Sequence, residues 1–159
     1  MGRTIVCYFS ATGETRSVAI ELAKELNVPL FEIEPKEKYT SQDLDWMDKK
    51  SRSTLEAKDK NARPEIKKVL DNIDSYDTII LGFPIWWYTA PRIINTFLEE
   101  IDPVDKKIIL FATSGGSSLG HTAQDLAFSA PGSDIIDGMV ISSLDGVKSF
   151  AEDVKNGEF

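Results

Sequence analysis

The chain has 159 residues, 42% of them hydrophobic and 28% charged, with 26 acidic against 18 basic side chains and a net charge of −8. That length suits one domain with one main core, large enough to fold without a disulfide or metal staple. One Cys and one His exclude a Cys/His zinc site, the acidic balance argues against a general nucleic-acid binder, and no apolar run approaches the roughly 20 residues needed to span a bilayer.

The first residues lead straight into a strand-like segment, with no charged region and apolar stretch of a secretory signal, so a cytoplasmic protein is expected. Residues 4–9 (TIVCYF) are β-branched and aromatic, and too few for a helix. Apolar Val18, Ile20, Leu22, Ala23 and Leu26 recur at helical spacing over 15–26, and 28–33 reads as a second strand. Pro64 is well placed to open a helix running through Val69 and Ile73. An almost unbroken apolar strand follows at 77–83, a helix at 90–101, a strand at 107–113, a helix around 119–128, a strand at 135–141 and a closing helix at 144–155.

Continuous apolar strands are buried on both faces, as in parallel sheets. Five of them alternating with helices predict an α/β fold, doubly wound, with helices on both faces of the sheet. Ligands in such folds bind beyond the carboxyl ends of the strands. The loops after strands one, three and four are therefore the places to look for chemistry.

Residues 36–63 break the rhythm. This inserted charged segment holds eight basic and six acidic side chains, so the rest of the chain carries −10. Thr40 and Asp43 fit a capping box, and Leu44, Met47 and Leu55 a thin apolar stripe. Mixed charge predicts a solvated extra helix on the sheet edge rather than a partner-docking element.

The first loop, Ser10-Ala11-Thr12-Gly13-Glu14-Thr15, offers hydroxyls and a Gly at the start of a helix, where amide N–H groups and the dipole favour an anion. It lacks the GK[ST] of a Walker loop and the glycine pattern of a dinucleotide fingerprint. It suits a terminal monophosphate held by Ser10, Thr12, Thr15 and the amides of Gly13 and Glu14, with the Glu14 carboxylate turned to solvent. Arg16 is either a further anion contact or a surface residue. The second loop, Pro84-Ile85-Trp86-Trp87-Tyr88, presents adjacent tryptophans that one core cannot easily bury together, which suits stacking on a planar ring. The third, Thr113-Ser114-Gly115-Gly116-Ser117, is small and polar enough to hug a ring edge.

Together the three loops resemble the flavodoxin-like FMN-binding family, and Pro84-x-Trp86-Trp87 is similar to its short bacterial flavodoxins and flavodoxin-like reductases. The resemblance implies a five-stranded parallel sheet of order 2-1-3-4-5, FMN as cofactor, its phosphate on Ser10–Thr15, and its ring between the second and third loops. Two departures stand out: Glu14 replaces a common Asn, and the third loop has no aromatic residue to flank the outer ring face. Stacking then falls to Trp86, Trp87, Tyr88, Tyr39 or Trp46, leaving one ring face open to a substrate.

Other uses of the fold lack their residues. A tyrosine phosphatase needs a Cys in its phosphate loop, whereas Cys7 sits within the first strand and reads as core. A response regulator needs acidic residues where Ser10 and Pro84 stand. His121 reads as a surface or supporting residue, and no side chain is a convincing acid–base catalyst. The expected function is electron transfer, steered by acidic charge to basic partner surfaces. The alternatives are an NAD(P)H-dependent reductase of quinone-like acceptors and a flavin-free protein-binding module. No nucleic-acid partner and no membrane insertion are expected.

Overall fold

The computed structural model describes residues 3–114 and 118–159. Five strands, β1 (Thr4–Tyr8), β2 (Leu30–Glu32), β3 (Thr78–Pro84), β4 (Lys107–Thr113) and β5 (Asp134–Val140), form one sheet in the order β2-β1-β3-β4-β5, every pairing parallel. Helices α1 (Glu14–Leu26), α2 (Arg52–Lys58), α3 (Arg92–Ile101), α4 (Thr122–Ala127) and α5 (Leu144–Lys155) complete it.

The strand period of two sorts the core into two layers. Ile5, Cys7 and Phe9 of the first strand run join Ile79, Leu81 and Phe83 of β3 and Ile108, Leu110 and Ala112 of β4 under α3 and α4. Val6 and Tyr8, Ile80, and Ile109 and Phe111 face the other way, against Ala19 and Leu22 of α1 and Val147 and Phe150 of α5. Gly82 makes the alternation possible, because a Cβ there would sit 2.0 Å from the Phe111 ring. The order of strands reverses between β1 and β3, so their carboxyl ends part and leave a crevice.

One expected element is replaced. No helix opens at Pro64. The chain runs extended there, with Pro35 bridged antiparallel to Ile66, Lys36 N–H donating to Glu65 C=O (2.8 Å) and Lys67 N–H to Glu34 C=O (2.8 Å). The segment pairs with the chain just beyond β2 and is followed by a 3₁₀ turn at Ile73–Ser75. Backbone groups at a sheet edge need partners, and that demand outweighs a modest helical pattern. Ile66 and Leu70 still pack on the core.

The inserted segment does contain a helix, but later than its capping box. Thr40 and Asp43 bond reciprocally (2.9 and 3.1 Å) and close only a turn, while α2 starts at Arg52 behind the Ser51 cap. The expected apolar stripe does not pack, since Met47 and Leu55 are exposed. Instead a polar cluster fixes α2. Tyr39 Oη donates to Glu56 (2.5 Å), the Arg52 guanidinium lies 3.9 Å over the Tyr39 ring and bonds Glu56 (2.9 Å), and Arg92 of α3 donates to the Glu56 and Ala57 carbonyls (3.2 and 2.8 Å).

Candidate cofactor site

The carboxyl ends of β1, β3 and β4 open onto one cavity of about 810 Å³. Thr12, Glu14 and Thr15 line it from the first loop, Pro84, Ile85, Trp86, Trp87 and Tyr88 from the second, and Thr113 and Ser114 from the third. The sequence-predicted loops are thus brought together. Gly115, Gly116 and Ser117 lie outside the described residues. Ser10 and Gly13 sit across the first loop, on a smaller adjoining pocket of about 300 Å³ that shares Ala11 and Thr12 with the main one.

The first loop is built to leave a helix end open. Gly13 takes φ 97°, a left-handed conformation that glycine adopts without a Cβ penalty, and Ser10 Oγ accepts its N–H (3.0 Å). No side chain caps α1, and the first-turn amides of an α-helix have no acceptor within the helix. The cavity beside this end is therefore favourable for an anion. Thr15 is buried, and its hydroxyl bonds that of Thr113 at 2.7 Å, tying the first loop to the end of β4. The Glu14 side chain is exposed, as expected. Arg16 is exposed and lines the smaller pocket with Ser10, Thr12 and Gly13. It pairs with Glu32 (2.5 Å) and donates to Tyr8 Oη (3.3 Å).

The second loop separates its two tryptophans. Trp86 packs edge-on to Phe9 and Tyr39, with ring centroids 5.7 and 5.3 Å away. Trp87 and Tyr88 form the centre of a tight turn in which Trp86 and Thr89 exchange both backbone hydrogen bonds (2.9 and 3.1 Å). Their φ values are 49° and 66°, the type I′ pattern normally filled by Asn-Gly. Two aromatic residues in the left-handed region are strained, and such strain clusters at ligand sites. The turn holds Trp87 39% and Tyr88 76% exposed at the cavity. Thr89 Oγ1 anchors it to Asp125 of α4 (2.6 Å), and Ile85 N–H to the Thr113 carbonyl (3.1 Å).

The inserted segment supplies a wall that the loops alone do not. Leu44, Trp46 and Ser53 line the same cavity, Trp46 with 70% of its surface exposed. Trp46 was readable as a stacking residue, but nothing in the sequence pointed to Ser53. Tyr39 is not available for stacking in the main cavity, being enclosed by Arg52, Phe9 and Trp86. Burial, then its bond to Glu56, holds its phenol well above the ordinary range and so neutral. His121 is exposed at the start of α4 and does not line the cavity. Cys7 is fully buried in the core.

A family model described as Flavodoxin matches residues 3–156. The chain belongs to the flavodoxin family. Two solved structures of proteins assigned as flavoproteins resemble it over nearly their whole length. That from Bacteroides eggerthii is 39% identical, covers 98% of this chain and 99% of its own, and superposes with a TM-score of 0.89. That from Bacteroides uniformis is 44% identical, covers 95% and 98%, and has the same TM-score of 0.89. A flavoprotein from Lactobacillus acidophilus, solved in complex with FMN, shares the fold at 21% identity and TM-score 0.74, over 100% of both chains. Among curated proteins, an uncharacterized NAD(P)H oxidoreductase of Escherichia coli, YcaK, is 28% identical over 43 residues, a stretch that is 27% of this chain and 22% of YcaK.

This flavodoxin-family site fits FMN on its own features. The uncapped end of α1 and the hydroxyls of Thr12 and Thr15 suit a phosphate. The apolar Ile85 and the exposed Trp87, Tyr88 and Trp46 suit the faces of a planar ring.

Proposed function

We propose that this chain binds FMN in the main cavity and serves as an electron-transfer protein. One observation carries the reading: an anion-attracting helix end and an aromatic wall meet in a single cavity formed by the ends of β1, β3 and β4. Among the described residues lining it, only Glu14 and Tyr88 are ionisable, and both are exposed. No enclosed acid or base stands ready for proton chemistry, so the redox chemistry is the flavin's, and the protein binds, orients and tunes it. The phosphate would rest on the first-turn amides of α1 with Thr12 and Thr15, and the ring against Ile85–Trp87. A net charge of −8 favours encounter with redox partners that present basic surfaces.

A second reading is an NAD(P)H-dependent reductase of a quinone-like acceptor. The Trp46 wall supports it, because Leu44, Trp46 and Ser53 extend the cavity beyond the three loops. The short likeness to YcaK points the same way.

Titration of the purified protein with FMN tests the common ground. Flavin fluorescence is expected to be quenched with a micromolar or tighter Kd, and no binding at micromolar FMN would sink both readings. Anaerobic reduction then separates them. Stepwise one-electron reduction supports the carrier, whereas rapid NADPH oxidation with menadione as acceptor supports the reductase.

A further inference from the structure

Three hydroxyls stand at the start of α2, and two of them satisfy each other. Ser51 Oγ caps the Thr54 amide (3.4 Å) and bonds Thr54 Oγ1 (2.8 Å). Ser53 is different. Its N–H donates to the Asp43 carbonyl (2.9 Å), but its Oγ is buried with no hydrogen-bond partner among the described residues, and the residue is 2% exposed. Neither solvent nor protein compensates this hydroxyl, which is unfavourable. A loose helix does not explain it, because Arg52, Glu56, Tyr39 and Arg92 hold α2 from two sides. Ser53 belongs to the wall of the main cavity, beside Leu44 and Trp46 of the same segment.

We propose that the Ser53 hydroxyl donates a hydrogen bond to a carbonyl oxygen of a planar ring held in this cavity. Serine turns on a single side-chain torsion, so its Oγ can be presented to a ligand while the helix stays in place. Leu44 and Trp46 offer apolar surface to the ring, and Ser53 supplies the polar contact that fixes its orientation. The inserted segment is then a recognition element and not only a solvated cover. The proposal rests on the ring-binding reading of the cavity. The carbonyl is either the flavin's own or that of a second ring, such as a quinone acceptor.

Ser53→Ala tests this with three probes: FMN, lumiflavin (the ring without a phosphate) and menadione. Flavin affinities are read by fluorescence quenching, and menadione binding by tryptophan fluorescence of protein with and without FMN. Loss of one hydrogen bond is expected to weaken the relevant ligand about 3–10-fold. Equal weakening of FMN and lumiflavin identifies the flavin carbonyl, and weakening of menadione alone identifies a second ring. Unchanged affinity for all three would show that the hydroxyl meets no ring carbonyl and overturn the proposal. Should the wild type bind no flavin, the cofactor reading falls separately. The menadione arm on flavin-free protein then decides, and equal or absent menadione binding in both proteins overturns the Ser53 contact. If Ser53→Ala does not fold, Ser53→Cys retains the volume with a weaker donor and is read the same way.

Discussion

Trp87 and Tyr88 occupy backbone conformations that cost an L-residue roughly 1–2 kcal/mol each. Tyr88 is 76% exposed, so little packing is lost with its ring. Tyr88→Gly is therefore expected to stabilise the ligand-free protein by about 0.5–1 kcal/mol, the relief of strain less the extra unfolded-state freedom of glycine. The same change should weaken FMN binding, and thermal melts with and without FMN show both effects. Thr15 offers the opposite trade. Its removal as Thr15→Val leaves the buried Thr113 hydroxyl without its 2.7 Å partner, at a cost of about 1–3 kcal/mol. If Thr15 also meets the phosphate, FMN affinity falls more than riboflavin affinity, and equal losses would refute that role. Cys7 makes a simpler point. Burial pushes its thiol pKa up, so the thiolate does not form in the folded state. A thiol reagent at pH 8 should label Cys7 only when denaturant unfolds the chain.

Elements act here by where they place ends and edges. The start of α1 matters because no side chain caps it, and the 86–89 turn because α4 holds it through Thr89 and Asp125. Asp125→Ala breaks an exposed bond, so its stability cost should stay below about 1 kcal/mol. The inserted segment is tied down at its far end as well. Arg63 pairs with Glu99 of α3 (2.9 Å), and Ser129 donates to the same carboxylate (2.8 Å). The bond from Arg63 is the main reason the Glu99 pKa lies below its ordinary value. A carboxylate held low when folded contributes stability above its unfolded pKa, and loses it as pH falls through the folded one. Arg63→Ala should therefore narrow the stability difference between neutral and acidic pH, by a small amount because the pair is partly exposed. Denaturant midpoints at pH 7 and pH 3 measure it.

At the scale of the whole molecule, charge is the dominant property. An acidic protein with an apolar aromatic wall disfavours additional negative charge on a bound ring. The last one-electron potential of bound FMN is expected below that of free FMN, and a redox titration giving a higher value would refute this. If partner surfaces are basic, electron-transfer rates should fall steeply as salt rises from about 0.01 to 0.15 M, where the screening length shrinks from about 30 to 8 Å.

The sequence by itself determined the sheet and the three loops. Apolar strands buried on both faces leave a signal that needs no partner to be read, in 78–84 and 107–113 as in the first strand. The loop residues carry their chemistry locally, as hydroxyls before a helix and paired tryptophans after a strand. A helix in the inserted segment was legible but its start was not, and the stretch after Pro64 was misread, because these answer to contacts distant in sequence: Tyr39 and Arg92 for α2, and the chain around Pro35 for residues 64–67. Only the tertiary structure decided which tryptophan turns inward and which toward the cavity, through the contacts of Trp86 with Phe9 and Tyr39. It alone placed Ser53 in the cavity wall. A small hydroxyl has no periodicity and no motif of its own, so its role depends on what the fold sets beside it.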